Sequence, residues 1–212
     1  MTILVTGAAG FIGAYVARAL LARGEHVVGL DNFNDYYDPQ PKRDRVASLC
    51  PNLDLRTTDL ADQPPMASLF PQLKPEPLPH PAAPPGRTAS RPGPHAYLHS
   101  NWTGFLNVLE ACRHNRVEHL AYASSSSVYG GNAAAPFAES QTVDQALSLY
   151  VASKALHGLM ANCFAPLYRL QCTSLGIFTV YGSRGRTDMK ALLFVRALLS
   201  GGAIAGCIGG VL

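Results

Sequence analysis

At 212 residues, with 48% hydrophobic and only 15% charged positions, the chain can bury a substantial core and is not intrinsically disordered. Seventeen Lys and Arg against 14 Asp and Glu give a formal charge of +3, spread thinly apart from Lys42-Arg43-Arg45 and Arg184-Arg186; this argues against nucleic acid and suits a small anionic ligand. Five cysteines without a CxxC pair indicate neither a disulfide framework nor a metal site, and Arg196 breaks the C-terminal apolar stretch short of the roughly 20 residues a bilayer needs, so a cytoplasmic protein without membrane contact is expected.

Thr2 to Thr6 is a β-branched run that predicts a strand, and Phe11 to Arg23 follows with helical spacing and Gly24 where a C-cap belongs. His26 to Leu30 reads as the second strand, ending at Asp31, which completes one βαβ unit. A helix near Pro41 to Leu49, a strand near Leu53 to Thr58 and a helix opened by Pro64 and Pro65 come next. Beyond position 94 the pattern predicts a long helix over His95 to Arg113, a strand in "VEHLAYASS", a helix over Ser148 to Tyr168 and a strand in "CTSLGIFTV". The fold class is therefore α/β, a Rossmann-like doubly wound parallel sheet with helices on both faces.

One stretch conflicts with this order. Nine of the 24 residues from Pro71 to Pro94 are proline, and they fall where the fourth strand belongs. Proline cannot donate to a ladder and is essentially excluded from central strands. The expectation is a fourth strand disrupted by the tract, with residues 73–93 anomalous.

"TGAAGFIG" places Gly7, Gly10 and Gly13 between the first strand and first helix, with Phe11 and Ile12 opening the helix. The first glycine permits the tight turn, the second admits a pyrophosphate, and the third lets the helix pack closely, while the free N–H groups and positive dipole end face the phosphates. Asp31 ends the next strand 18 residues after Gly13, near the spacing of a ribose-binding carboxylate, which favours NAD over NADP. The bland alternative is a plain turn with Asp31 as a loop residue.

"YASSSSVYG" ends a strand in serines, and 25 residues after Ser125 comes "SLYVASK" with Tyr150 and Lys154. On a helix, positions i and i+4 share a face. A cation there, with a nicotinium nearby, stabilises the phenolate, so that Tyr150 could take a proton from an alcohol while hydride leaves the same carbon. Ser125 would hold the reacting oxygen. Alone, the pair could equally be a packed tyrosine and a solvated lysine.

These residues, with "DNFNDYYD", "NWTGFLNVLEACR" and "FTVYGSRGRTDM", resemble the extended short-chain dehydrogenase/reductase family and, within it, the nucleotide-sugar epimerases of the UDP-glucuronate 4-epimerase type. The resemblance covers 1–72 and 94–204 in order. It implies NAD held by Gly7, Gly10, Phe11, Ile12, Gly13, Asp31, Asn32, Asp59, Leu60, Ala82, Ala83, Asn101, Tyr150 and Lys154. It implies a UDP-sugar facing Ser125, Ser126, Tyr150 and Thr179, with Arg186 for an anionic group, and a homodimer through the helices at 95–113 and 148–168. The implied reaction is C4 epimerisation through a 4-keto intermediate, UDP-glucuronate to UDP-galacturonate being the expected case. Ser126 and Ser127 stand where the family's dehydratases carry acidic residues, which favours epimerase.

The resemblance also divides the chain into an NAD-binding domain, 1–182, and the start of a substrate-binding domain, 183–212, which departs from the family pattern near Ala205. Gly176, Ser183 and Arg184 replace an arginine, a proline and a tryptophan of that pattern. With the proline tract, this leads to the expectation of a marginal protein that binds NAD poorly. The alternatives are another nucleotide-sugar epimerase or dehydratase, or a non-catalytic remnant that at most binds NAD.

Overall fold

A computed structural model describes residues 1–35, 38–82, 94–130, 136–185 and 189–202. They divide into two compact units, Met1–Phe178 and Thr179–Leu212.

In the first unit β1 (Thr2–Thr6), α1 (Phe11–Ala22), β2 (His26–Asp31), α2 (Gln40–Leu49), β3 (Asp54–Thr57) and α3 (Gln63–Leu73) alternate as predicted. β1 pairs β2 and β2 pairs β3, all parallel, with Thr2 opposite His26 and Val28 opposite Asp54. β4 (Pro77–His80) follows, then a helix that runs from α4 (Pro94–Tyr97) through a π-helical stretch, Leu98–Thr103, into α5 (Gly104–Asn115). β5 (His119–Ala123), α6 (Leu149–Tyr168) and β6 (Gln171–Leu175) complete the unit. β4, β5 and β6 form a second parallel set. β1 and β4 lie side by side, with the Glu76 N–H donating to the Thr2 carbonyl at 3.2 Å, so the strand order is β3-β2-β1-β4-β5-β6.

The disruption expected in the fourth strand is only partial. β4 forms, with Leu78 and His80 buried at 0% and 2% exposure. Its prolines alternate, and a parallel strand offers alternate residues to alternate neighbours. Only Leu78 and His80 have an N–H, so these serve the ladder to β5, while Pro77 and Pro79 turn their donorless side to β1. The disruption is confined to that side, where regular pairing between β1 and β4 is missing and the sheet divides into two three-stranded halves.

The apolar alternation along each strand feeds two cores. Leu4, Val28, Leu30 and Leu78 pack with Met66, Phe70, Phe105 and Leu109 from α3 and α5. Ile3, Val5 and Val27 face the other way, toward Ala17 of α1 and Cys50 after α2. Regular pairing of β6 ends at Leu175, short of the predicted Val180, because the Ile177 N–H folds back to the Leu175 carbonyl at 2.9 Å; the Ser126 N–H still reaches the Ile177 carbonyl at 3.0 Å.

The second unit contains α7 (Lys190–Ser200), closed by Gly201 at φ +64° with the Gly202 N–H returning to the Ala197 carbonyl. Leu198 and Leu199 are 68% and 85% exposed.

Candidate active site and dinucleotide cradle

The glycine turn is built as its spacing demands. Gly7 sits at φ +60°, and a Cβ there would come within 2.9 Å of Ala82 Cα; a Cβ on Gly13 would run into the Gly7 carbonyl. A Cβ on Gly10 would meet only Gly7, at 3.0 Å from its carbonyl oxygen, and otherwise open space. Gly10 also caps α1 without any side-chain hydrogen bond, and no acidic residue stands in the first turn. The N–H groups around Phe11 and Ile12 are thus left to an anion. These features fit a pyrophosphate.

Asp31 is buried at the end of β2. Its Oδ1 accepts from the Phe33 N–H at 2.9 Å and lies 3.2 Å from Lys42 Nζ, and its Oδ2 accepts from the Ala9 N–H at 3.2 Å. Asn32 donates to Asp59 Oδ2 at 2.8 Å, and with Asn34, Thr57, Thr58, Asp62 and Pro65 these two line a recess of about 450 Å³. Leu60 accepts from Asn107 through its carbonyl at 2.9 Å, and Gly104 packs against its side chain. Carboxylate, recess and glycine turn fit a dinucleotide. Ala82 borders this turn, whereas Ala83 lies outside the described residues.

Sequence reasoning missed two cations here. Lys42 and Arg45 stood out in the sequence only as part of a basic cluster, yet Lys42 is buried against Asp31 and Asn34, and Arg45 donates to the Ala9 carbonyl at 2.6 Å. Their i, i+3 spacing on α2 was the only available signal.

Ser148 caps α6 by accepting from the Val151 N–H at 3.2 Å, which places Tyr150 in the first turn, half-buried, and Lys154 one turn on. Lys154 is buried and donates to the Ala123 carbonyl at 2.7 Å, pinning α6 to the strand that ends in the serines. Burial pushes its pKa down to about 7. Ser125, two residues beyond that carbonyl, is buried and caps the turn Ser126–Tyr129, its Oγ accepting from the Ser127 N–H at 3.2 Å. Ser126 is half-buried beside it. Thr179 belongs to the second unit, and Arg186 lies outside the described residues.

Beneath this helix the expected Asn101 is joined by buried polar side chains that the sequence did not announce, Ser153, His157 and His80. Asn101, in the π-helical stretch, donates to Ser153 Oγ at 2.8 Å, and Ser153 donates to the Tyr150 carbonyl at 2.7 Å. His157 meets the Asn101 carbonyl at 2.7 Å, and His80 bonds Thr6 Oγ1 at 2.7 Å. Burial, then the neighbouring Lys154, pushes His157 down to about 3; burial, then His157 and Lys154, holds His80 well below its ordinary range. Both imidazoles are neutral at pH 7.

A parallel sheet with a glycine turn at β1, a carboxylate ending β2 and a helix carrying a half-buried Tyr150 and a buried Lys154 defines a dinucleotide-dependent enzyme class acting on alcohols. Residues 3–208 match the NAD dependent epimerase/dehydratase family, and the chain belongs to that family. It is 49% identical over 208 residues to an uncharacterized 37.6 kDa protein of Escherichia coli O111:H-, covering 96% of this chain and 61% of that one. UDP-glucuronate 4-epimerase 3 of Arabidopsis thaliana is 44% identical over 206 residues, covering 96% of this chain and 48% of that protein. The crystal structure of UDP-glucuronic acid 4-epimerase from Bacillus cereus, in complex with UDP-glucuronic acid and NAD, superposes with a TM-score of 0.88 at 31% identity, covering 96% of this chain and 65% of that one. The chain thus spans about half to three-fifths of the length of these two curated relatives. The cofactor of the family is NAD.

Proposed function

We propose that the chain carries the NAD-binding and proton-transfer half of a nucleotide-sugar 4-epimerase, with UDP-glucuronate and UDP-galacturonate as the interconverted pair. The observation that carries this reading is the anchoring of Lys154 to the Ala123 carbonyl, which joins the Tyr150 helix to the strand end bearing Ser125. The relatives named UDP-glucuronate 4-epimerase support the choice of sugar.

The glycine turn, Asp31 and the recess at Asn32 and Asp59 would hold NAD, with Asn101 and Lys154 at its other end. Bound NAD supplies a hydride acceptor that can return the hydride. Tyr150 takes the proton of the C4 hydroxyl as its phenolate and gives it back. Lys154 supplies the positive charge that favours that phenolate. Ser125 donates a hydrogen bond to the sugar oxygen, and the 4-ketone turns over before reduction on its opposite face. Ser126 and Ser127 offer no acid for elimination. Thr179 and Arg186 are proposed to contact the sugar, and the second unit to begin the substrate-binding domain.

Leu98, Trp102 and Leu106 on the α4–α5 helix and Leu159 and Leu167 on α6 are exposed apolar positions, which support a homodimer through these helices. Among the described residues no helix is long and apolar enough to cross a membrane; we place the protein in the cytoplasm.

The test is incubation of the NAD-loaded chain with UDP-glucuronate and, separately, UDP-glucose, with chromatographic separation of products. Formation of UDP-galacturonate, lost by a factor of about 10² or more in Tyr150→Phe, is the expected result. A second reading is NAD binding without turnover. It predicts no product from either sugar, and that outcome would remove the epimerase reading.

A further inference from the structure

His157 is the fully buried imidazole of α6, one turn after Lys154. Its ring stacks on Phe105 at 4.1 Å between centroids and 21° between planes, with Tyr122 edge-on at 6.5 Å and His80 at 6.4 Å. The slot is aromatic, and a phenyl ring would fill it. What the imidazole adds is one hydrogen bond, from Nε2 to the Asn101 carbonyl at 2.7 Å. A carbonyl only accepts, so Nε2 carries the proton. Nδ1 is then a lone pair, and it is buried without a hydrogen-bond partner. Relative to a phenylalanine, the imidazole gains that one hydrogen bond and bears the cost of one orphaned lone pair.

Its bond lands on the π-helical stretch at the residue whose side chain reaches α6 again, Asn101 to Ser153 and Ser153 to the Tyr150 carbonyl. The π-helical stretch is therefore tied to α6 at two levels, one above Lys154 and one below it. We propose that His157 is a positioning residue of the Tyr150–Lys154 site: its Nε2–H fixes the π-helical stretch so that Asn101, Tyr150 and Lys154 together present one surface to the cofactor. The proposal rests on the reading that this surface meets NAD.

The test compares His157→Phe, which keeps the stack and loses the donor, with His157→Gln, which keeps a donor and loses the stack. Both are made in the full chain, and NAD affinity is measured by calorimetry. Trp102, the only tryptophan, adjoins Asn101, so its emission reports on the π-helical stretch. His157→Phe is expected to weaken NAD binding about fivefold, the size of one lost hydrogen bond, and to shift Trp102 emission, while His157→Gln stays within about twofold of the parent. A packing role alone predicts the reverse order. Undiminished NAD binding by His157→Phe, or equal losses in both variants, overturns the proposal. Should either variant fail to fold, ¹⁵N spectra of the unaltered protein decide: a neutral Nε2–H tautomer at pH 7 supports it, and an Nδ1–H tautomer or an imidazolium overturns it. NAD affinity is read without any sugar, so a chain that binds NAD and converts no UDP-sugar would sink the epimerase reading and leave this comparison intact.

Discussion

Thr6 and His80 share a 2.7 Å hydrogen bond across the one junction of the sheet where regular backbone pairing is interrupted. β1 and β4 meet there, and the prolines of β4 offer β1 no donor. A side-chain bond between two buried residues stands in for part of the missing ladder, directly below the glycine turn that begins at Gly7. The order of that turn depends on this seam, since Ala82 closes on Gly7 from just beyond the same strand.

Thr6→Val keeps the shape of the residue and removes the hydroxyl, leaving His80 Nδ1 without its partner. The expected loss is about 1–3 kcal/mol of unfolding free energy, the cost of orphaning a buried polar atom. Urea denaturation measures it, and an unchanged midpoint would mean that packing alone holds β4 against β1.

Gly13→Ala and Gly24→Ala should differ sharply. A methyl group on Gly13 enters the Gly7 carbonyl and approaches Ala8 Cα at 3.0 Å, so the turn must open; NAD binding should be lost with it. Gly24, at φ +79°, has no atom within 4 Å of where a methyl group would stand, and alanine there costs only the backbone conformation, about 1 kcal/mol. Equal effects of the two on NAD affinity would contradict the assigned role of the turn.

Stability should rise with pH in two steps. His80 and His157 have folded pKa values below their ordinary 6.5, so the unfolded chain binds more protons, and stability is lost as pH falls below 6.5 toward about 3. Lys154 falls from 10.5 to about 7, so the unfolded chain again holds the extra proton between those values, and stability climbs by up to about 1.4 kcal/mol per unit from pH 7 to 9. Above pH 9 the raised thiols of Cys50, Cys112 and Cys172, the last pushed up to about 11, and the raised Tyr122 act in the opposite sense. Denaturation midpoints from pH 4 to 9 check this, and Lys154→Met should remove the upper step and, because Lys154 adds to the lowering of both imidazoles, shrink the lower one without abolishing it, since burial is its first cause.

Much of this was legible in the residues. The glycine spacing, Asp31 and the Tyr150–Lys154 interval are local patterns whose chemistry needs a single backbone context, and the strand-helix alternation supplied it. The proline tract misled because the rule against proline concerns whole central strands, whereas alternation at Pro77 and Pro79 spares the β5 side. Lys42, Arg45 and His157 escaped because charge in a sequence reads as surface, and their burial depends on partners distant along the chain: Asp31, Ala9 and Asn101. With β4 formed, one of the two grounds for expecting weak NAD binding, the loss of that strand, is removed.

The dinucleotide cradle is the feature on which every functional assignment depends, and a thermal melt of the 212-residue chain with and without saturating NAD tests it. At about 100 times the dissociation constant, binding adds about 2.7 kcal/mol, so an upward shift of about 5–10 °C is expected. A cooperative transition that does not move with NAD would contradict the claim that Gly7, Gly10, Gly13, Asp31 and the Tyr150–Lys154 helix assemble into a cofactor site.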